Sequence, residues 1–338
     1  MDKVRWGVLG VAMIALKRVV PAMREVSNAV VTGIASRDAA RARAAADEAG
    51  IEKSYGSYEA MLADPAIEVV YVALPNHLHV EWCVKAMDAG KHVLCEKPVA
   101  MNAREAEPLI AARDRTGRLI EEAFQIRNHP HWAALRALID SGEIGAVRGV
   151  QALMCYNNRN PADIRNKPET GGGALYDVGS YAVTGCRMAI GTEPTRALGL
   201  FEHDPDFGTD RLVSAILQFP TGQATILIST QAGPATGGSH QHLGLIADKG
   251  WVRMDFPFAH SVPSSCHLFI GGTSSIGSRQ AREIAFEPVN QYALQAERFS
   301  RLVRHESAPA FPIELAVANM RVLDALRRSG ETRGWENV

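Results

Sequence analysis

Cysteine is scarce in this chain, and the few that occur are scattered. The five are Cys83, Cys95, Cys155, Cys186 and Cys266, and none belongs to a C-x-x-C pair. An odd, widely spaced set is not typical of a disulfide framework or of a cysteine-based zinc site. We therefore expect reduced thiols, as in a cytoplasmic protein.

The sequence also lacks an excess of charge of either sign. Its 36 Lys and Arg residues nearly balance 37 Asp and Glu residues, and the formal net charge is -1. This balance provides no electrostatic reason to expect nucleic acid or a membrane surface as a partner. A transmembrane helix requires about 18 apolar residues in a row, and no apolar run in this sequence is that long. The first strand pattern begins directly after Arg5, so we expect no signal peptide.

What the chain does contain is an alternation of strand and helix patterns up to about residue 120. Apolar runs such as VRWGVLG and AVVTGIAS alternate with alanine-rich helical segments such as residues 15–26 and 103–116. This alternation is typical of βαβ units around a parallel sheet. We predict an α/β fold whose residues 1–122 form a doubly wound Rossmann domain.

The second half has a different pattern. Longer strand-like runs, among them RLVSAILQFP and ATILIST, follow one another, and two helical patterns at 291–304 and 312–328 close the chain. Consecutive strands of this kind favour an antiparallel sheet. We predict an α+β domain over residues 123–338 with a large, mostly antiparallel open sheet.

The stretch GVLGVAMIA joins the first strand pattern to the first helix. Only Gly10 of a G-x-G-x-x-G fingerprint is glycine, because Ala12 and Ala15 fill the other two positions. The first glycine makes the tight turn, whereas the others need only closeness to pyrophosphate and to the helix, where one methyl group fits. We predict a dinucleotide-binding turn in which Gly10, Ala12, Met13 and Ile14 contact the cofactor.

The end of the second strand pattern indicates which dinucleotide binds. NAD-binding domains usually place an acidic residue there for the ribose 2′-hydroxyl. This chain has Ser36 and Arg37, a hydroxyl and a guanidinium that suit a 2′-phosphate. We expect NADP, with NAD as the alternative if Arg37 is solvated and Asp38 accepts the ribose.

Several motifs together resemble the Gfo/Idh/MocA oxidoreductase family over essentially the whole length. They are ALPNHLH at 73–79, KHVLCEKP at 91–98, EAFQIRNHP at 122–130, GGGALYDVGSY at 171–181, FPTGQ at 219–223 and ADKGWVRMDFPF at 247–258. The E-K-P turn and the glycine-rich motif are specific in combination. The resemblance implies a pyridine-nucleotide-dependent enzyme.

Lys97 of the E-K-P turn follows an apolar strand, where open α/β sheets bind their ligands. An ammonium at that point can hold a substrate hydroxyl, and the resemblance implies this same role. It also implies a cis peptide before Pro98. The alternative interpretation is a surface lysine at a strand end.

Within the glycine-rich motif, Asp177 and Tyr181 are four residues apart, which places both on one face of a helix. Many family members have histidine where this chain has Tyr181 and aspartate where it has Thr184. The departure resembles the branch with glucose-fructose oxidoreductase, dimeric dihydrodiol dehydrogenase and NADP-dependent aldose dehydrogenases, in which a tyrosine is the proposed acid/base. Packing of the aromatic ring on the sheet is the alternative for Tyr181.

A phenol has a reference pKa of about 10 and needs help to act as a base near neutral pH. An ammonium about 4 Å away would lower that pKa by up to roughly three units. We therefore predict that Tyr181, assisted by Lys97, exchanges the hydroxyl proton while hydride moves between the same carbon and nicotinamide C4.

The remaining site residues are assigned by resemblance. The residues expected near the cofactor are Leu74, Pro75, Asn76, His79, Glu96, Lys97 and Arg127. Around the substrate, Arg165 joins Lys97, Asp177 and Tyr181, and Asp177 is expected to bind substrate hydroxyls or to belong to the catalytic cluster. His79 could instead begin the next helix, and Arg127 could form a structural salt bridge. His129 is a further candidate for a ligand contact. The eleven histidines are scattered, and SHQH at 239–242 favours a strand entry, so no metal site is expected.

The leading hypothesis is an NAD(P)-dependent dehydrogenase or reductase acting on a sugar or polyol. The alternatives are an enzyme for a ring carbon of inositol or of a larger glycoside, such as an aminoglycoside or nucleotide sugar, and a non-catalytic NADP-binding regulatory module. The resemblance also implies a homodimer or homotetramer that pairs through the exposed face of the C-terminal sheet.

Overall fold

The computed structural model describes residues 2–233, 237–258, 267–271 and 281–338. Contacts divide the chain into two compact units, one comprising Met1–Gln125 with Asn290–Val317 and the other Ile126–Val289 with Ala318–Val338. Cys266 lies outside the described residues. None of the helices in the described ranges is long and apolar enough to cross a membrane.

The first unit contains a six-stranded parallel sheet with the order β3-β2-β1-β4-β5-β6. Its strands are β1 (Val4–Leu9), β2 (Ala29–Ala35), β3 (Lys53–Tyr55), β4 (Val69–Val72), β5 (His92–Cys95) and β6 (Ile120–Glu122). Every residue of β4 is buried, as expected for a central strand covered on both faces. The strand order reverses between β1 and β4, the point at which such sheets bind ligands.

Helices connect these strands. They are α1 (Val20–Met23) after a π-helical turn (Ala15–Val19), α2 (Ala39–Ala49), α3 (Tyr58–Leu62), α4 (His79–Asp88) and α5 (Ala103–Thr116). The helix predicted over 15–26 is thus shorter and begins with a wider turn, whereas α5 matches its predicted bounds. Asn102 caps α5 by accepting a hydrogen bond from the Glu105 amide, and Gly117 ends it in the left-handed conformation.

The second unit is built around a nine-stranded sheet with the order β14-β13-β12-β11-β7-β10-β9-β8-β15. Its strands are β7 (Val147–Tyr156), β8 (Arg196–His203), β9 (Asp210–Gln218), β10 (Gln223–Ser229), β11 (Ser239–Ala247), β12 (Gly250–Asp255), β13 (His267–Gly271), β14 (Ala281–Ala285) and β15 (Glu336–Asn337). The pair β7 and β10 is parallel, and the other neighbours are antiparallel. The predicted fold class is confirmed.

Further along the described residues, the α-helices are α6 (Pro130–Asp140), α7 (Ser180–Ile190), α8 (Gln291–Val303) and α9 (Glu314–Thr332). The expectation that the later strands follow without helices between them is wrong for α7, which separates β7 from β8. The spacing of Asp177 and Tyr181 indicated a helical turn at this point, but the glycine-rich start weakened the pattern of a longer helix.

Helix α8 belongs to the first unit, although the sequence boundary at 122/123 assigned it to the second domain. The Trp6 indole on β1 donates a hydrogen bond to the Ser300 hydroxyl at 3.1 Å. The Phe299 ring lies 5.6 Å from that indole, and both rings are fully buried. The α8 sequence thus supplies apolar cover for a sheet whose last strand ends at Glu122.

Candidate functional site

The turn after β1 has a shape that admits only glycine at its first position. Gly10 has a φ of +103°, and a Cβ added there would lie 2.6 Å from the Ala73 carbonyl oxygen. Ala12 is accommodated, and its carbonyl accepts the hydrogen bond of the Leu16 amide at 3.1 Å as the helical segment begins. Met13 is 72% exposed beside this turn. The structure therefore supports the sequence interpretation that Gly10 alone carries the strict backbone demand.

The end of β2 carries the residues expected to distinguish NADP from NAD. The Ser36 hydroxyl accepts a hydrogen bond from the Asp38 amide at 3.2 Å and keeps its own proton to donate. The Asp38 carboxylate caps α2 by accepting from the Arg41 amide at 3.1 Å. One Asp38 carboxylate oxygen is thus engaged in the helix cap, while Arg37 is exposed.

Arg41 is a site residue that sequence reasoning missed. Its guanidinium donates to the Val11 carbonyl at 3.1 Å and so reaches from α2 to the turn after Gly10. The available signal was an arginine in the first turn of the helix that follows Ser36 and Arg37. The Arg41 guanidinium therefore connects α2 to the turn after Gly10.

The loop after β4 is joined to the E-K-P turn by His79. One imidazole nitrogen lies 2.8 Å from the Pro98 carbonyl oxygen, and the other lies 2.8 Å from that of Leu74. The ring is fully buried, and burial lowers the pKa of His79 to about 4, although both carbonyls favour the charged form. His79 begins α4, as the alternative interpretation held, and its ring faces backbone carbonyls.

The E-K-P turn directly follows β5, and hydrogen bonds to the Glu96 carboxylate stabilise it. The Glu96 carboxylate accepts hydrogen bonds from the Tyr71 hydroxyl on β4 and from the Lys97 amide. The Lys97–Pro98 peptide is cis, as the resemblance implied. Glu96, expected near the cofactor, thus orients the turn that carries the half-buried Lys97. Pro75 and Asn76 are half-buried in the neighbouring loop.

In the second unit, Asp177 is the centre of a polar cluster. The Tyr156 hydroxyl on β7 donates to one carboxylate oxygen at 2.5 Å, and the Arg165 guanidinium lies 3.2 Å from the other. The negative charge of Asp177 raises the pKa of Arg165, while burial raises the pKa of Tyr156. Asp177 therefore holds Arg165 and Tyr156 in place, and Tyr156 is a second residue that sequence reasoning missed.

Tyr181 lies one turn after Asp177 in a continuous helical segment, since a π-helical turn (Leu175–Gly179) runs into α7. Its ring is 6% exposed and lies 6.5 Å from that of Phe258. Thr184 is buried, and its hydroxyl bonds to the Asn319 amide oxygen at 3.2 Å. At this position, where many family members have an aspartate, the chain thus has a hydrogen bond between α7 and α9.

Two other predicted residues lie at the start of the second unit. Arg127 is half-buried in the short turn Gln125–Asn128. The His129 ring accepts a hydrogen bond from the His131 amide and caps α6, which explains its burial structurally. In the ranges that the structure describes, no three metal-binding side chains come together.

Two protein-family models match the chain. A model described as an oxidoreductase family with an NAD-binding Rossmann fold covers residues 4–124. A model of the GFO/IDH/MocA C-terminal domain covers residues 132–253. The two matches follow each other along the chain in the order that the motifs predicted.

Individual proteins are similar over the full length. An uncharacterised oxidoreductase of Rhizobium meliloti is 44% identical over 100% of both chains. A D-xylose 1-dehydrogenase (NADP(+)) of Haloferax volcanii is 36% identical over 97% of both.

Among solved structures, a 3-ketoreductase from Actinomadura kijaniata in complex with NADP and TDP-benzene has a TM-score of 0.87. It is 27% identical and covers 97% of this chain and 98% of its own. Further structures of that enzyme carry a lysine-to-alanine or a tyrosine-to-phenylalanine substitution.

Proposed function

The chain belongs to the Gfo/Idh/MocA family of NAD(P)-dependent oxidoreductases, and we propose that it interconverts a hydroxyl and a carbonyl on a sugar or polyol. In this proposal Tyr181 is the acid/base and Lys97 assists it. One observation carries the proposal. The Gly10 turn after β1 and Lys97 after β5 stand at the carboxyl edge of one parallel sheet, separated by the single strand β4.

The residues of the first unit fit a dinucleotide. Gly10, where a Cβ would meet the Ala73 carbonyl, has no side chain to keep a pyrophosphate from the backbone of the turn. We propose that Arg37, Arg41 and the Ser36 hydroxyl bind a 2′-phosphate, since guanidinium groups pair with phosphate in two-pronged geometry. When bound, the nicotinamide donates or accepts a hydride at C4.

Side chains of the protein then transfer the proton of the reacting hydroxyl. During oxidation the Tyr181 phenolate oxygen removes the proton of the substrate hydroxyl, and during reduction it returns that proton to the carbonyl oxygen. The Lys97 ammonium orients the reacting oxygen and favours the phenolate. The Asp177 carboxylate holds the Arg165 guanidinium beside the substrate, where its remaining N–H groups bind hydroxyls.

Variants of the two reacting residues test this assignment. We expect Lys97→Ala and Tyr181→Phe each to lower kcat by about a hundredfold or more, while the dissociation constant for NADP, measured by fluorescence titration, changes by less than about threefold. Lys85→Ala, an exposed lysine on α4, is the control. Unchanged turnover in both variants would refute the catalytic roles, whereas a wild-type protein that binds NADP and turns over no substrate would favour a regulatory NADP-binding module.

The cofactor assignment has a separate test. We expect NADP to bind more tightly than NAD, and Arg37→Ala and Arg41→Ala to weaken NADP binding by about tenfold each, as loss of a charge-assisted hydrogen bond implies. NAD affinity should stay constant because NAD has no 2′-phosphate. Tighter binding of NAD by the wild-type protein would contradict the proposal.

The substrate class rests on the relatives. The xylose dehydrogenase, similar over 97% of both chains, favours a free aldose. The 3-ketoreductase fold match favours a nucleotide sugar as second candidate. A spectrophotometric panel of aldoses, inositols and nucleotide sugars, run in both directions, distinguishes them by the highest kcat/KM.

We also propose a cytoplasmic homodimer or homotetramer. The four described cysteines are free and buried, as in a reducing compartment. The outer face of the nine-stranded sheet exposes Leu227, Ile246 and Trp251 by 39%, 67% and 42%, and apolar patches of this kind are typical of interfaces.

A further inference from the structure

The helical segment that carries Asp177 and Tyr181 begins without a cap of its own. Its first residues follow three consecutive glycines, 171–173, and no side chain of the segment caps its first turn. The first amides of a helix require acceptors. The acceptor here comes from elsewhere in the chain.

That acceptor is Asp210, the first residue of β9. Its carboxylate accepts a hydrogen bond from the Leu175 amide at 2.6 Å. The Ala174 and Leu175 amides both favour the charged form of Asp210. Asp210, at the start of a strand of the large sheet, therefore caps the helical segment as an N-cap residue would.

The backbone of the glycine run makes room for this contact. Gly173 has a φ of +112°, and a Cβ there would lie 1.9 Å from an Asp210 carboxylate oxygen. The Gly173 carbonyl accepts from the Asp177 amide at 3.1 Å, and its own amide donates to the Arg165 carbonyl at 2.8 Å. Gly173 thus links the Asp210 contact to both Asp177 and Arg165 through its own backbone.

We propose that Asp210 is a positioning residue that holds the start of the helical segment and so sets the placement of Asp177 and Tyr181. This inference rests on the proposed function, because it takes Tyr181 as the acid/base. Asp210 itself needs no contact with substrate or cofactor.

The contact between Asp210 and the helical segment depends more on the ability of the Asp210 side chain to accept hydrogen bonds than on its charge. Burial raises the pKa of Asp210 to about 7, against the backbone amides that lower it. Both ionisation states are therefore populated near neutral pH, and each has an oxygen that accepts. An asparagine offers the same acceptor without the charge.

The test compares Asp210→Ala with Asp210→Asn, and uses Asp206→Ala as control because Asp206 is exposed four residues earlier. For Asp210→Ala we expect kcat to fall by about tenfold to a hundredfold, as for a lost hydrogen bond to a carboxylate. KM for NADP should be unchanged. Asp210→Asn should restore kcat to within about threefold of wild type.

Hydrogen exchange followed by mass spectrometry provides a readout independent of turnover. We expect the amides of 174–178 to exchange at least about tenfold faster in Asp210→Ala, and at the wild-type rate in Asp210→Asn and Asp206→Ala. Wild-type kcat and exchange in Asp210→Ala would overturn the inference. So would an asparagine variant as impaired as the alanine variant.

A second variant covers the case in which Asp210→Ala fails to fold. Gly173→Ala directs a methyl group at the carboxylate, and its loss of kcat should shrink when Asp210 is also alanine, since the clash is then removed. Strictly additive losses would contradict the link. The catalytic assignment fails separately: an active Tyr181→Phe refutes the proposed function, whereas an active Asp210→Ala beside an inactive Tyr181→Phe refutes only this inference.

Discussion

At the scale of the residue, Asp177 is engaged on both of its carboxylate oxygens. The sequence interpretation assigned it to substrate hydroxyls or to the catalytic cluster on the substrate side, and Tyr156 and Arg165 contact its two oxygens from different parts of the second unit. A carboxylate that is hydrogen-bonded on both oxygens is better suited to holding partners than to exchanging ligands. The group that it presents is therefore the guanidinium of Arg165, which is 40% exposed.

This arrangement predicts the effect of removing one hydroxyl. Tyr156→Phe deletes the donor to Asp177 and should cost about 1.5–3 kcal/mol of substrate interaction, or about a tenfold to hundredfold loss of kcat/KM. NADP affinity, measured by titration, should be unchanged. Tyr58→Phe in the first unit is the matched control, and an equal loss in both variants would argue for a general effect on folding.

At the scale of the element, the β1 turn and its neighbours act as one unit. Gly10 approaches the Ala73 carbonyl after β4, and His79 bonds the same loop to the E-K-P turn after β5. Three strand ends are thereby fixed relative to one another. The strictness of the glycine follows from a neighbouring strand and not from the fingerprint itself.

The turn can be tested by separating backbone strain from steric clash. Gly10→Ala combines a positive φ with a Cβ 2.6 Å from a carbonyl oxygen, whereas Gly90→Ala has φ +80° and nothing within 4 Å. The strain alone costs about 1–2 kcal/mol. We expect Gly10→Ala to lose more stability in urea denaturation and to bind NADP at least tenfold more weakly. Equal effects of the two variants would contradict the steric role of Ala73.

At the scale of the whole molecule, the nine-stranded sheet has one covered and one open face. Along β10, Ala224, Ile226 and Ile228 are buried, while Gln223, Thr225 and Leu227 are exposed. Such alternation is typical of a sheet with one face on the core. The exposed face includes apolar side chains that a second copy of the chain would cover.

A charge on that face should change the oligomeric state. Ile246→Glu places a carboxylate on β11 within the exposed face, and its burial against a second copy would be unfavourable. We expect sedimentation velocity to report a dimer or tetramer for the wild type and a smaller species for the variant. Ala111→Glu, on an exposed position of α5, should leave the mass unchanged. A wild-type monomer would exclude the proposed interface.

The sequence by itself determined the fold class, the family and the turn at Gly10. Alternating strand and helix patterns, the E-K-P turn and the single glycine are local features, because periodicity and backbone conformation depend on neighbouring residues. The chemical character of Ser36 and Arg37 can likewise be read directly from the sequence. These features can be recognised without distant contacts, although the clash with the Ala73 carbonyl that makes Gly10 strict is visible only in the tertiary structure.

Only the tertiary structure decided which side chains support the site. The bond from Leu175 to Asp210 spans 35 residues, that from Tyr156 to Asp177 spans 21, and that from Trp6 to Ser300 spans 294. No sequence pattern around a polar residue beside a strand identifies its distant partner. Folding selects that partner because a buried amide or carboxylate without one is costly.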